Sequence, residues 1–282
     1  MSLHVFSQDK EIRLFPGGAP GEKNSLPEEV ADITGNKVAG ETVQRVSNVS
    51  DPVIAIYHPV QELANGTAMI ICPGGGYNIL AYDLEGTEIC EWLNDMGITA
   101  VLLKYRVPRR EGTEKHTAPL QDAQRAVSYV RAHAEELHIH PERIGIMGFS
   151  AGAHLSVMVC NNPEEHTYPA LDECDRFSSR PNFCLLVYPA YLSGETFGTL
   201  ASEIKVSFNK TPPTMLVQSQ DDKSHINSSL FYYYALKEAG VPATMHLYSQ
   251  GGHGYGMRDT KATVNEWPER AEYWLRSMGV IE

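Results

Sequence analysis

The chain has 282 residues, 42% hydrophobic and 21% charged, the balance of an ordinary globular protein that can bury a core without disulfide or metal staples. Its formal net charge of -12 argues against nucleic acid and anionic membrane surfaces as main partners, since both call for a basic footprint, and leaves neutral substrates such as sugar esters open. The five cysteines (Cys72, Cys90, Cys160, Cys174, Cys184) are odd in number, widely spaced and form no CxxC, so neither a disulfide framework nor a zinc site is expected of them.

No apolar run approaches the ~20 residues that span a bilayer. The N-terminus as given reads as no signal peptide, and "MSL" is compatible with an expression leader, so the start of the chain leaves the place of action open. Residues 1–45, rich in Gly, Pro and charge ("FPGGAPGEKNSLPEEV"), are expected to form an arm or irregular lead-in to a catalytic domain over 46–282. Strand and helix signals alternate from there. "VIAIYHPV", "TAMIIC", "ITAVLLKY" and "RIGIMG" read as strands, the buried ones as continuous apolar runs. "GTEICEWLNDMG" reads as a helix. In "APLQDAQRAVSYVRAHAEEL", Leu120, Ala123, Val127, Val130, Ala134 and Leu137 form one helical stripe. Beyond it, "NFCLLVYP", "PTMLVQS" and "ATMHLY" read as strands, with "NSSLFYYYALKEAG" and "NEWPERAEYWLRSMG" as helices. This alternation predicts an α/β fold: a mainly parallel central sheet flanked by helices on both faces. The long connections 105–117, 161–181 and 189–211 are expected to wall a substrate cleft.

In "RIGIMGFSAGAHLSVMVC", Ser150 stands between Gly148 and Gly152 where a strand gives way to a helix. A sharp strand-to-helix turn exposes such a serine, and glycines two residues either side relieve the collisions the turn would cause. The same pattern also arises by chance in a glycine-rich chain. A serine nucleophile needs a base, and His253 in "QGGHGYG" follows the last strand with no core to fill. The base needs an orienting carboxylate, and Asp221 or Asp222 in "QSQDDK" lies between the two in the order Ser, Asp, His. The glycines of "CPGGGY" let backbone N–H groups approach a substrate, so Gly75 and Gly76 with the N–H of Ala151 form a candidate oxyanion hole; a plain glycine turn is the rival. A phosphate loop is disfavoured, since no GK[ST] follows. Tyr77 and Tyr255 flank this centre as candidate substrate contacts or packing residues, and His154 reads as a packing residue. His138 and His140 suggest a metal pair only weakly, as no carboxylates accompany them. "KYRVPRR" is read as solvated surface, with Arg106, Arg109 and Arg110 as alternative contacts to acidic sugars.

Four stretches, "CPGGGYNILAYDLEGTEICEWLNDMGITAVLLKYRVP", "PLQDAQRAVSYVRAHAEELHIHPERIGIMGFSAGAHL", "QSQDDKSHINSSLFYYYALKEAGVPATMHLY" and "GGHGYGMR", resemble bacterial α/β-hydrolase esterases of the acetyl xylan esterase and esterase-lipase kind. The resemblance runs from about residue 45 to the C-terminus. It implies Ser150 as nucleophile, His253 as base and an oxyanion hole in "PGGGY", with Pro73 where lipase-like relatives carry histidine. It prefers Asp222 over Asp221, because the family's aspartate is the fifth residue of a strand-end motif and "QSQDD" matches that spacing. The function expected is a serine carboxylesterase acting on acetyl or other small acyl esters of carbohydrate. No metal or organic cofactor is expected, and periplasmic or secreted action is suggested. A peptidase or amidase on the same fold is the alternative, and a non-catalytic carbohydrate-binding module a more distant one.

Overall fold

The computed structural model describes residues 10–22, 26–162 and 166–281. The apolar runs become eleven described strands: β1 (Lys10–Arg13), β2 (Val30–Asp32), β3 (Arg45–Ser47), β4 (Val53–Tyr57), β5 (Ala68–Cys72), β6 (Leu80–Ala81), β7 (Thr99–Lys104), β8 (Ile144–Phe149), β9 (Phe183–Val187), β10 (Thr214–Ser219) and β11 (Ala243–Tyr248). Eight of them form one sheet in the order β1-β4-β7-β5-β8-β9-β10-β11. The pairs from β7 to β11 are parallel, and β4 runs against both its neighbours. Strands β5, β8, β9 and β10 are buried at every residue, as a sheet covered on both faces requires. β2, β3 and β6 make a separate small antiparallel sheet.

Among the described residues five α-helices cover the main sheet: α1 (Glu88–Asp95), α2 (Thr117–Ala132), α3 (Ala151–Asn161), α4 (Ile226–Glu238) and α5 (Trp267–Ser277). The core divides accordingly. On one face Leu120, Val127 and Val130 of α2, the α3 apolar residues and Tyr232 and Leu236 of α4 pack together. On the other, Ile89 and Leu93 of α1 meet Trp267, Trp274 and Leu275 of α5. The α2 stripe is buried as its periodicity predicts, but the helix ends at Ala132, and Ala134 and Leu137 are buried in the turns beyond it. This is the α/β-hydrolase architecture.

The lead-in is more regular than its composition suggests: β1 pairs with β4 as the edge of the main sheet, and β2 and β3 belong to the small one. The four cysteines in or beside the central elements (Cys72, Cys90, Cys160, Cys184) are buried free thiols. No helix among the described residues is long and apolar enough to cross a membrane.

The strand order reverses between β5 and β8, which lie side by side with Cys72 opposite Gly148. Such a switch point opens a crevice at the carboxyl ends of the strands, where ligands bind in open α/β sheets. The loop "PGGGY" leaves β5 there and Ser150 leaves β8.

Candidate active site

Ser150 sits at the sharp turn from β8 into α3 with φ 52° and ψ -114°, a conformation that costs a non-glycine residue about 1–3 kcal/mol. Three backbone bonds hold it there. Its N–H donates to Val187 O at 3.1 Å, and its carbonyl accepts from Ala190 at 3.1 Å and His154 at 3.2 Å. The flanking glycines have a steric cause. A Cβ on Gly148 would stand 2.2 Å from Gly152 O, and one on Gly152 would stand 2.0 Å from Cys72 O.

The loop after β11 brings His253 over this turn, its Nε2 2.7 Å from Ser150 Oγ. On the other side of the ring, Nδ1 is 2.7 Å from Asp222 Oδ2. Asp222 is buried, and its second oxygen accepts from the His225 N–H at 3.2 Å. Asp221 does something different: it is exposed and accepts from the N–H groups of Gly252 (2.8 Å) and Gly251 (3.3 Å), so it ties down the loop that carries His253.

The glycine loop lies beside Ser150. Gly75 has φ +133°, and a Cβ there would stand 2.1 Å from Ile79 O, so the loop is closed to any larger residue. The carbonyl of Gly75 accepts from Asn78 and Ile79, and that of Gly74 accepts from Ala81. The N–H groups of Gly75 and Gly76 have no partner among the described residues. The first N–H groups of α3, that of Ala151 included, are unpaired within a helix by construction and carry its positive end.

Glu85 escaped the sequence reading. It lies in a π-helical turn (Asp83–Thr87) leading into α1 and is 4% exposed. One carboxylate oxygen accepts from Gly74 N–H at 2.6 Å, the other from Tyr188 Oη at 2.8 Å. Tyr188 Oη in turn accepts from Gly256 N–H at 3.0 Å. A single buried acid thus links the glycine loop to the histidine loop. Burial pushes its carboxyl up to about 7, against the pull of the bonds from Tyr188 and Gly74. The signal in the sequence is Gly86, whose missing side chain makes room for Leu102 of β7 and lets the turn press against the sheet.

His225 was also missed. Its ring is 4.7 Å from that of His253, and burial, followed by the nearby His253, pushes it below the ordinary histidine range.

Tyr77 and Tyr255, expected as candidate substrate contacts, are core residues, 0% and 2% exposed. Tyr77 Oη bonds His154 Nδ1 at 2.7 Å, and Tyr255 packs edge-on against Tyr188 at 4.4 Å. The half-buried aromatic on the glycine loop is Tyr191, stacked on Tyr77 with centroids 6.3 Å apart. Lys115 Nζ stands 4.2 Å over its ring. Both line a cavity of 610 Å³ with Glu203, to which 105–117 contributes Lys115 and 189–211 the other residues; none of Ser150, Asp222 and His253 borders it. The described residues of 161–181 do not border it, and 163–165 lie outside the described residues. The segment follows the far end of α3, ~16 Å from Ser150 along the helix, and is anchored to α2 by Arg125 on Asp172 and Asp175. A larger cavity of 770 Å³, near Glu62, Arg143 and Arg276, opens at the opposite end of the strands and has no part in this site.

The basic stretch is not a solvated run. Arg106 is 1% exposed and pairs with buried Asp122 at 2.8 Å, and Arg110 pairs with Glu22 at 2.6 Å. Only Arg109 is exposed, and its N–H donates to Tyr77 O. His138 and His140 are exposed. His154, read as a packing residue, is indeed fully buried but lies in a polar cluster with His116 and Glu203.

A serine on a strained strand-to-helix turn, in line with an imidazole and a buried carboxylate and beside a glycine loop, is the arrangement of a serine hydrolase of the α/β class. The sequence profile of the BD-FAE family matches residues 54–183, and that of the prolyl oligopeptidase family matches 193–279. The chain is 31% identical to an acetyl ester-xyloside bifunctional hydrolase from Caldicellulosiruptor lactoaceticus, whose crystal structure it matches with a TM-score of 0.75 over 99% of this chain and 100% of that one. It is 28% identical to an acetylxylan esterase of Xylanibacter ruminicola over 77% of this chain and 47% of that protein. It is 27% identical to endo-1,4-beta-xylanase B of Butyrivibrio fibrisolvens over 66% of this chain and 32% of that protein. The chain therefore spans half or less of the length of these two relatives. It belongs to the α/β-hydrolase esterase family.

Proposed function

We propose that this chain is a serine carboxylesterase that removes acetyl or other small acyl groups from carbohydrate, xylan-type esters above all. The observation that carries the reading is the unbroken line from Ser150 Oγ through His253 to Asp222, with 2.7 Å at each step. The substrate class is supported by the full-length likeness to a hydrolase named for acetyl ester and xyloside.

In this reading Ser150 Oγ attacks the ester carbonyl as its proton passes to His253 Nε2. Asp222 holds the ring with Nδ1–H toward the carboxylate and stabilises the imidazolium. The N–H groups of Gly75, Gly76 and Ala151 take the charge that develops on the carbonyl oxygen. His253 returns the proton to the leaving sugar hydroxyl. Water, deprotonated by the same nitrogen, then cleaves the acyl-serine and restores the enzyme. Burial, followed by the nearby His253, holds His225 below the ordinary histidine range and so disfavours a second charge beside the imidazolium. None of these steps calls for a cofactor. Residues 46–282 act as the catalytic domain; 1–9 and 23–25 of the lead-in lie outside the described residues, and of its described part β1 joins the main sheet. A periplasmic or extracellular place of action goes with this substrate.

The prolyl oligopeptidase profile over 193–279 favours amide cleavage as a second reading. Release of acetate or ferulate from acylated xylo-oligosaccharides, set against release of amine from aminoacyl amides, separates the two. The ester reading expects turnover of acetylated oligosaccharides with Ser150→Ala inactive. Faster turnover of the amides would replace it.

A further inference from the structure

Behind the glycine loop, three segments bring together side chains that ester hydrolysis does not use. His116 ends the 105–117 connection, His154 stands one turn into α3, and Glu203 comes from 189–211. His154 is fully buried and His116 is 9% exposed. Nδ1 of His116 and Nε2 of His154 are buried atoms without a hydrogen-bond partner among the described residues. Glu203 Oε1 is 3.8 Å from His154 Nε2, and one donor atom from each of the three residues lies within 4.8 Å of the others.

A packing role explains neither orphaned nitrogen, because an unpaired buried polar atom is costly. A hydrogen-bonded cluster would need contacts near 3 Å, and the His154–Glu203 approach is 3.8 Å. The spacing suits a small cation instead. Ligand bonds of about 2.0–2.2 Å in tetrahedral geometry put donor atoms roughly 3.3 Å apart, a modest contraction of this triangle.

We propose that His116 Nδ1, His154 Nε2 and a carboxylate oxygen of Glu203 bind one divalent transition-metal ion of the zinc kind. Two imidazoles and one carboxylate favour zinc over the hard cations magnesium and calcium, which prefer all-oxygen sets. Three protein donors leave a fourth position, and Glu203 lines the 610 Å³ cavity from which an ion can enter. Ligation through Nε2 leaves Nδ1 of His154 as the N–H that donates to Tyr77 Oη at 2.7 Å, which fixes the tautomer and the ring. Tyr77 directly follows Gly75 and Gly76. The ion thus clamps two cleft segments onto the helix that begins after Ser150 and steadies the loop proposed to hold the oxyanion. It takes no part in bond making, so the site is independent of which ester or amide is cleaved. Lys115, over the Tyr191 ring and on the same cavity, is the positive charge that opposes the ion.

The test is titration of the tag-free, metal-stripped full chain with Zn²⁺ alone, in competition with a chromophoric chelator, with melting temperature as a second readout. The expected result is one equivalent bound and a higher melting temperature. Glu203→Gln and His116→Asn should each weaken binding at least tenfold, the usual scale for disturbing a metal site's ligands or their supports. Lys115→Gln should tighten it. Glu203 is partly exposed, so Glu203→Gln is expected to fold, and an unchanged melting temperature without zinc verifies that. Failure to bind one equivalent, or wild-type affinity retained in Glu203→Gln or His116→Asn, would overturn the proposal. So would loss of binding on changing the exposed His138 and His140 instead.

Discussion

The backbone N–H of Gly74 donates to the buried carboxylate of Glu85 at 2.6 Å, and that contact sets where the glycine loop stands relative to Ser150. The same carboxylate reaches the histidine loop through Tyr188. Glu85 is thus a positioning residue that touches no substrate. Glu85→Gln keeps an acceptor for Gly74 but sets an NH₂ group against Tyr188 Oη; Glu85→Ala removes both bonds. We expect kcat to fall roughly tenfold in the first and a hundredfold in the second, the scale of an ångström-sized misplacement, with KM little changed. Steady-state kinetics on an aryl acetate check this. A rise in KM at constant kcat would place Glu85 in substrate binding instead.

Glu85 also makes stability depend on pH. Its carboxyl is raised from 4.5 to about 7, chiefly by burial, so the folded chain keeps a proton that the unfolded chain has released. The contribution is fully present below pH 4.5 and is lost as pH rises through 7. At 1.36 kcal/mol per pH unit the loss amounts to roughly 3 kcal/mol. Urea unfolding across this range should show that decline in the wild type and a flatter profile in Glu85→Gln. Equal slopes would show that the acid is already ionised throughout.

The two neighbouring aspartates should separate cleanly. Asp222→Asn removes the carboxylate that orients His253 and should lower kcat by a factor on the order of 10⁴. Asp221→Asn keeps an acceptor for Gly252 and should lower it less than tenfold, the exposed bond being worth about 1 kcal/mol. The kcat values of the two variants, measured in parallel, decide the matter; comparable losses would mean that the exposed acid orients the base.

Gly152→Ala should cost more than its one methyl group suggests. The added carbon would stand 2.0 Å from Cys72 O and 2.5 Å from Pro73 O, which are backbone atoms that cannot rotate away. The turn has to open, separating Ser150 from the glycine loop. Destabilisation of about 1–3 kcal/mol is expected on thermal unfolding, with activity lost beyond what the unfolded fraction explains. A melting temperature within a degree of the wild type would show that the approach is looser.

The strands and helices were legible because the chain states them in their simplest form: "ITAVLLKY" carries the unbroken apolar run Ala100–Leu103, and the α2 stripe repeats every three or four residues. Ser150 and His253 were legible because glycines mark the sites of tight turns. The small β2-β3-β6 sheet was not, since its strands are two or three residues long and too short to show a period. Glu85 was hidden for another reason. It stands among polar residues in a helical turn and looks solvated until the fold presses that turn against the sheet, whereas His154 reads correctly as buried and only its polar partners His116 and Glu203, distant in sequence, were out of sight. Tyr77 and Tyr255 illustrate the converse, since adjacency in sequence to a site does not say which way a side chain turns. Arg106 shows the same effect for charge, because a basic run reads as surface until Asp122 is found opposite it.

Ser150 is the residue proposed to carry the acyl group. Rapid quenching of the enzyme with an activated acetate ester, followed by peptide mass spectrometry, tests it most directly. An acetyl group on the side chain of Ser150, trapped by the acid quench in the wild type and absent in Ser150→Ala, is the result predicted. Acetylation elsewhere, or undiminished turnover in Ser150→Ala, would contradict it.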